Sequence, residues 1–258
     1  MCAAATWGYD KGNGPSVWYK NFPKAGGNRQ SPVNIDSKTC KSHTFSHPLK
    51  ANYSSEANME VTNNGFTFVA TIKGENTISG GPLETTPYKL HSFHFHWGSD
   101  DSHGSEHTID NKSYPAELHL VHWNYQKYPD FAEAAAAEDG LSVLGILLKV
   151  GEANPVLQAL CDAMDKVQAC DSKHTLDQAF DLASLVPEDS IKFFTYPGSL
   201  TTPPCHESVT WLVSKEMLSC SKEQLSHFRA LIGKNTAPLV NNYRPVLALC
   251  NRSVCSCD

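Results

Sequence analysis

Two alternating stretches, Ser92-Phe93-His94-Phe95-His96-Trp97 and Glu117-Leu118-His119, set the tightest limit on how this chain folds. In an extended strand successive side chains point to opposite faces, so His94 and His96 point the same way. On the second strand Glu117, His119 and Val121 share one face, while Leu118, Leu120 and His122 share the other. Side by side, the two strands bring three imidazoles together. Three neutral nitrogen ligands with a fourth position open are the coordination of a catalytic zinc, not of a closed structural one. The carboxylate two residues before the third histidine strengthens this over a chance His-x-His pair, because metal-bound imidazoles need an acceptor for their second N–H. The pattern points to a metalloenzyme.

The chain has 258 residues, enough for a substantial core. It carries no Pro/Ser-rich run, charge block or internal repeat, so a single domain over residues 1–258 is expected. Its core would span about 7–250, with 251–258 as a cysteine-containing tail. The net charge is −6 with both signs interspersed, and basic residues nowhere cluster into a phosphate track, which argues against nucleic-acid binding. No apolar run approaches the roughly 20 residues of a membrane span. The start, Met1 to Trp7, is apolar but too short for a signal-peptide core and lacks a basic flank. Nine cysteines fall at 2, 40, 161, 170, 205, 220, 250, 255 and 257 without a CxxC zinc pattern. Their number is odd, and they leave the redox compartment open. The run from Cys250 to Cys257 has the donors to coordinate a soft metal, but the expectation is a mobile, incidental tail.

Strand signals dominate. Val61–Ile72, Tyr88–Trp97, Ala116–Asn124, Leu141–Val150, Ile191–Tyr196, Ser208–Val213 and Val246–Leu249 are rich in β-branched or aromatic residues. Leu141 to Leu148 is almost entirely apolar, as a strand buried on both faces should be. Helical pieces are few. Asn154-Pro155 reads as an N-cap with proline at the first helical position, and Leu157, Leu160, Met164 and Val167 form the stripe behind it. Ser221-Lys222-Glu223-Gln224 has the capping-box pattern and leads into Leu225, Phe228 and Leu231 before Gly233. Pro129-Asp130 opens a shorter piece running toward Gly140. The expectation is an α+β, mostly β protein: a sheet core dressed with short peripheral helices.

Landmarks along the chain carry a family resemblance. They are Asn13-Gly14-Pro15, Gln30-Ser31-Pro32-Val33-Asn34-Ile35, Phe93 to Gly98, Gly104-Ser105-Glu106-His107-Thr108, Ala116 to Trp123, and Tyr196-Pro197-Gly198-Ser199-Leu200-Thr201-Thr202-Pro203-Pro204. In this order and spacing, from Trp7 to Pro245, the chain resembles an α-carbonic anhydrase. The resemblance implies one domain around a ten-stranded, mainly antiparallel, twisted sheet with zinc at the base of a conical cleft. It also implies a zinc lyase that reversibly hydrates CO2 to bicarbonate and a proton through zinc-bound hydroxide. Zinc on three histidines lowers the pKa of its water to about 7, the value known for carbonic anhydrases in general. Neutral ligands suit this task because thiolates would partly cancel the charge of the ion.

By resemblance His94, His96 and His119 are the Zn2+ ligands. Thr201 is the gatekeeper, accepting a hydrogen bond from the hydroxide and donating its own proton to Glu106. Val121, Val143, Leu200, Val209 and Trp211 match the apolar wall where CO2 sits, with Thr202 beside them. Glu117 matches the acceptor for the second N–H of His119. Implied partners are CO2, water and bicarbonate, with no nucleic acid or membrane span, and the chain as a monomer or weak oligomer.

Departures from the family pattern carry their own expectations. Phe66 in Asn63-Asn64-Gly65-Phe66 stands where fast relatives carry a proton-shuttling histidine, and phenylalanine cannot titrate. Proton export through the path lined by Tyr9, Asn64 and Phe66 is therefore expected to be slow unless another group substitutes; Tyr9 and His206 are candidates by position. Ser92 stands where many relatives have glutamine accepting from His94, so a bridging water is expected to span the shorter reach. Val69 replaces a polar asparagine of the cleft wall. Cys205 follows Thr-Thr-Pro-Pro, where secreted relatives place half of a disulfide; the usual partner region, Ala25 to Asn28, has no cysteine, and Cys40 is the alternative. The start of the chain favours a cytoplasmic enzyme, or a secreted one if the chain is a trimmed mature form. The competing readings are a non-catalytic binding module of the same family and a secreted protein supplying carbonate in mineral deposition.

Overall fold

A computed structural model describes residues 7–186 and 192–258. Ten strands form one continuous ladder: β1 (Lys41–Ser42), β2 (Met59–Asn63), β3 (Phe68–Ile72), β4 (Tyr88–Trp97), β5 (Ala116–Trp123), β6 (Leu141–Val150), β7 (Lys173–Thr175), β8 (Phe193–Gly198), β9 (Val209–Ser214) and β10 (Cys255–Cys257). Their order across the sheet is β7-β2-β3-β4-β5-β6-β9-β8-β10-β1, and short strands at Lys50–Asn52, Thr77–Ser79 and Leu218–Cys220 attach beside it. All neighbours in the ladder run antiparallel except β6 with β9 and β10 with β1. This is the large, mainly antiparallel sheet that the sequence leads one to expect.

Period-two alternation sorts the central strands between two faces. Phe93, Phe95, Trp97, Leu118, Leu120, Leu144 and Ile146 pack into one apolar cluster, whereas Val121, Val143, Val209 and Trp211 join another. The alternate residues His94, His96, Glu117 and His119 are thereby left on the second face. Full burial of a side chain the size of Phe93 or Phe95 contributes ~1.5–3 kcal/mol, and both are completely buried.

Among the described residues three α-helices flank the sheet: α1 (Phe131–Ala136), α2 (Pro155–Lys166) and α3 (Lys222–Arg229). Each begins where the cap residues place it. Asp130 accepts from Glu133 N, Asn154 from Val156 N, and Ser221 with Gln224 closes a capping box. Gln224 also ties two helices together, since its Oε1 accepts from Asn154 N at 3.0 Å and its Nε2 donates to Asn154 O at 2.7 Å.

Three expectations change. The run Val61–Ile72 is two strands, because Asn64 Oδ1 accepts from Phe66 N and Thr67 N, both at 2.9 Å, and Gly65 turns the chain at φ +78°. Val246–Leu249 forms no strand. It follows Pro245, and Leu247 N donates outside any ladder, to Pro32 O at 2.8 Å. The cysteine tail is not a loose appendage: β10 pairs with both β8 and β1, and Val254 and Cys257 are buried. Cys40 and Cys205 are both free thiols, so the pairing considered between them is not made. Cys2 and Ile191 lie outside the described residues.

Candidate metal centre

The β4–β5 register sets His94 directly opposite His119 and His96 opposite Glu117. Ring centroids lie 5.0 Å apart for His94–His96, 5.2 Å for His94–His119 and 4.7 Å for His96–His119. One nitrogen from each ring falls within 4.8 Å of the other two. The second nitrogens decide the tautomers. His96 Nδ1 donates to Asn242 O at 2.7 Å, and His119 Nε2 donates to Glu117 Oε1 at 2.8 Å. Both partners only accept, so His96 presents a bare Nε2 and His119 a bare Nδ1.

Burial lowers all three imidazole pKa values. His94 lies well below the ordinary histidine value, with His96 and His119 adding to the effect; His96 falls to about 4, and His119 is lowered despite Glu117. The rings are therefore neutral at pH 7. His94 Nε2 lies 3.2 Å from His96 Nε2, so with His119 Nδ1 the three ring nitrogens converge on one point. A divalent cation that favours nitrogen donors fits this set, and zinc is such an ion.

Glu117 supports the centre from behind. Its Oε1 accepts from His119 Nε2 at 2.8 Å and His107 Nδ1 at 2.7 Å, while its Oε2 accepts from Glu106 N at 2.9 Å and His107 N at 2.7 Å. Burial opposes ionisation, but His107, His119 and these hydrogen bonds hold the carboxyl well below the usual range. His107, Glu117 and His119 also stand close enough to hold an ion. Their facing atoms instead satisfy one another. Tyr196 OH extends the network, 2.6 Å from His107 Nε2 and 2.9 Å from Ser31 Oγ. Gly145 leaves the room for it: a Cβ there would stand 3.1 Å from Glu117 Oε1 and 3.4 Å from the Trp211 ring.

Glu106 is buried beside the histidines, its Oε2 3.4 Å from His96 Nε2. Arg244 N donates to its Oε1 at 2.8 Å. Burial pushes its pKa up to about 7, against lowering by His119, the Thr201 hydroxyl and Arg244 N–H. Oε2 has no hydrogen bond of standard geometry, although Thr201, itself buried, lies near enough to act on the carboxyl.

Val121, Val143, Val209 and Trp211 are buried in one cluster, with Leu200 partly buried against it. Trp211 meets His119 edge-on at 4.8 Å and donates Nε1–H to Ser199 O at 3.0 Å. Thr202 is half-buried, and its carbonyl accepts from Cys205 N at 2.9 Å; no described contact joins it to the histidines.

Tyr9, Asn64 and Phe66 lie near the start of the described chain and the turn between β2 and β3. Phe66 stacks on Trp7 at 4.3 Å and 12°. With Tyr9 both rings line a cavity of about 220 Å³ that none of the three histidines lines. Asn64 is occupied in its turn. Val69 pairs with His94 across β3 and β4, an apolar neighbour for that ligand candidate. The Ser92 hydroxyl lies 3.1 Å from His91 Nδ1, and no described hydrogen bond joins it to His94. Asn242, Arg244, His107 and Tyr196 were not singled out as supporting residues by the sequence. Asn242 and Arg244 lie more than a hundred residues from their partners, and no local pattern announces them.

The family model described as eukaryotic-type carbonic anhydrase matches residues 13–258. The chain belongs to that family. It is also similar to Carbonic anhydrase 1 of Mus musculus, with 43% identity over 259 residues covering 98% of each chain. Membership makes the chain a lyase of the carbonic anhydrase type, and its three-histidine group could hold the zinc that alpha-class members use. No helix among the described residues is long and apolar enough to cross a membrane.

Proposed function

We propose that this chain reversibly hydrates CO2 to bicarbonate and a proton at a zinc ion held by His94, His96 and His119. The observation that carries this is the convergence of bare His96 Nε2 and His119 Nδ1 with His94 Nε2, the remaining nitrogens of His96 and His119 being bound to acceptor-only partners. Zinc in that position supplies acidified water, and hence a nucleophile, near neutral pH.

The residues around it do the rest. Glu106 is held by Arg244 N–H through Oε1, which leaves Oε2 as the acceptor for the Thr201 hydroxyl proton. Thr201 then offers only a lone pair toward the histidines. It selects and orients a group that has a proton to donate. Val121, Val143, Leu200, Val209 and Trp211 provide an apolar berth for a substrate that makes few hydrogen bonds, and Thr202 follows Thr201 in the chain beside it. Glu117 keeps the His119 ring in its metal-binding tautomer.

Phe66 cannot carry a proton. Unassisted release from an acid of pKa about 7 is limited to ~10^10 M⁻¹s⁻¹ times ~10⁻⁷ M, or roughly 10³ s⁻¹. Turnover in dilute buffer is therefore lower than in relatives with a histidine there. Stopped-flow CO2 hydration on zinc-loaded and chelator-treated protein, over a buffer series, tests the reading. Activity that disappears with zinc and climbs with buffer supports it. An undetectable rate with zinc bound would instead make the chain a binding module.

A further inference from the structure

His91 breaks the alternation of β4. Leu90 pairs with His122 and Ser92 with Val121, so His91 is the extra residue of a bulge. Bulges re-aim side chains, and this one turns an imidazole onto Phe131, the first residue of α1, with centroids 3.8 Å apart at 19°. Phe131 packs against the same apolar cluster as Val121, Val143 and Trp211. His91 is exposed, so it carries that wall out to solvent. Its Nδ1 lies 3.1 Å from Ser92 Oγ, and Ser92 shares the strand face of His94. Three residues of strand separate His91 from His94, on the order of 10 Å along β4, a gap that a short chain of waters would have to span.

We infer that His91 carries the reaction's proton from the cleft to buffer, the task that Phe66 cannot perform. This rests on the CO2-hydration reading above. Hydration releases one proton. With Nδ1 held against Ser92, Nε2 takes it, forming an N–H bond that breaks when a buffer base collects the proton. The ring then returns to its neutral form, and no other reactant is consumed.

The surroundings suit the role. Burial against its neighbours lowers the His91 pKa from the ordinary histidine value, and no charged group shifts it further. The charged residues nearest in sequence on the packed elements are Lys89 on β4 and Asp130 and Glu133 at the start of α1, where Asp130 Oδ1 is engaged by Glu133 N. The alternatives are less apt. Burial and Glu106 hold the Tyr9 phenol far above neutrality, so it offers no base. His206 Nδ1 donates to Ala135 O, and the ring lines a different cavity with Lys24, Arg29, Ala136, Glu138 and Glu207.

The test compares the zinc-loaded wild type with His91→Ala by stopped flow in dilute buffer, with added imidazole, alongside NMR titration of the His91 ring. The inference expects maximal turnover of His91→Ala to fall about tenfold toward the ~10³ s⁻¹ of unassisted release, with kcat/KM for CO2 unchanged. Imidazole should restore turnover, and the His91 ring should titrate below the ordinary histidine value because of its burial. Unchanged turnover in His91→Ala, loss of kcat/KM together with kcat, or a His91 ring that does not titrate would each overturn it. Absence of activity in the zinc-loaded wild type would overturn the hydration reading itself.

Discussion

The backbone N–H of Arg244 donates to Glu106 Oε1 at 2.8 Å, joining residues 138 positions apart in the sequence. One carboxylate oxygen is thereby fixed as an acceptor from the backbone, and the other is left facing Thr201 and His96.

Glu106→Gln reverses a hydrogen bond without changing shape. The new amide must turn its carbonyl to Arg244 N–H, which aims its NH2 at Thr201 and forces that hydroxyl to accept. The expected result is a fall of about 10²–10³ in kcat/KM for CO2 hydration. Zinc affinity by chelator competition should change less than about tenfold. Wild-type kcat/KM in this variant would mean that Thr201 does not need a fixed direction.

Gly145→Ala probes the space behind the centre. The added methyl would stand 3.1 Å from Glu117 Oε1 and 3.8 Å from the His119 ring. In a core packed this tightly, stability should fall by about 1–3 kcal/mol. Displacement of Glu117 should weaken zinc binding by about tenfold or more. Thermal denaturation of the metal-free protein and chelator titration measure the two effects separately, and wild-type values in both would show that the network tolerates the shift.

Phe66→His restores a titratable group at the Trp7 stack. A ring of similar size keeps that contact, so melting temperature should change little. Turnover in dilute buffer should rise, and its dependence on buffer concentration should flatten, while kcat/KM for CO2 stays constant. A buffer dependence identical to that of the wild type would place the proton limit elsewhere.

Gln224→Ala removes the side chain that caps α3 and holds Asn154 at the start of α2. Because Gln224 is buried, its loss strands polar backbone groups. About 2–3 kcal/mol of stability should disappear in denaturant unfolding, with kcat/KM for CO2 unaffected. A loss of activity without loss of stability would contradict a purely architectural role.

What was legible in the sequence followed from short-range physics. The bounds of β4 and β6 are legible because alternation or an apolar run spans each strand. Helix starts were readable because a cap needs only neighbouring residues. His94, His96 and His119 stood out because a two-residue spacing becomes a shared face. The partners that orient them did not, since Asn242 and Arg244 reach the site through tertiary folding alone. Val246–Leu249 has strand composition but no ladder for its amides, whereas β10 has weak composition and two neighbours to pair with. The His91 bulge was equally silent: an extra residue in one strand is visible only once its partner is in place.

The acceptor-only partners of His96 and His119 have a consequence for the metal-free chain. Asn242 O and the Glu117 carboxylate claim the protons of two rings, so those rings cannot relax into an N–H···N bond with each other by switching tautomer without leaving an acceptor bare. His94 has no such acceptor among the described contacts, and its Nε2 lies 3.2 Å from His96 Nε2, so the metal-free pocket keeps two of its three rings in the tautomers that a cation needs. Such a site loses less in capturing a cation than a slack one would, because two of its rings are already fixed in the ligand tautomer.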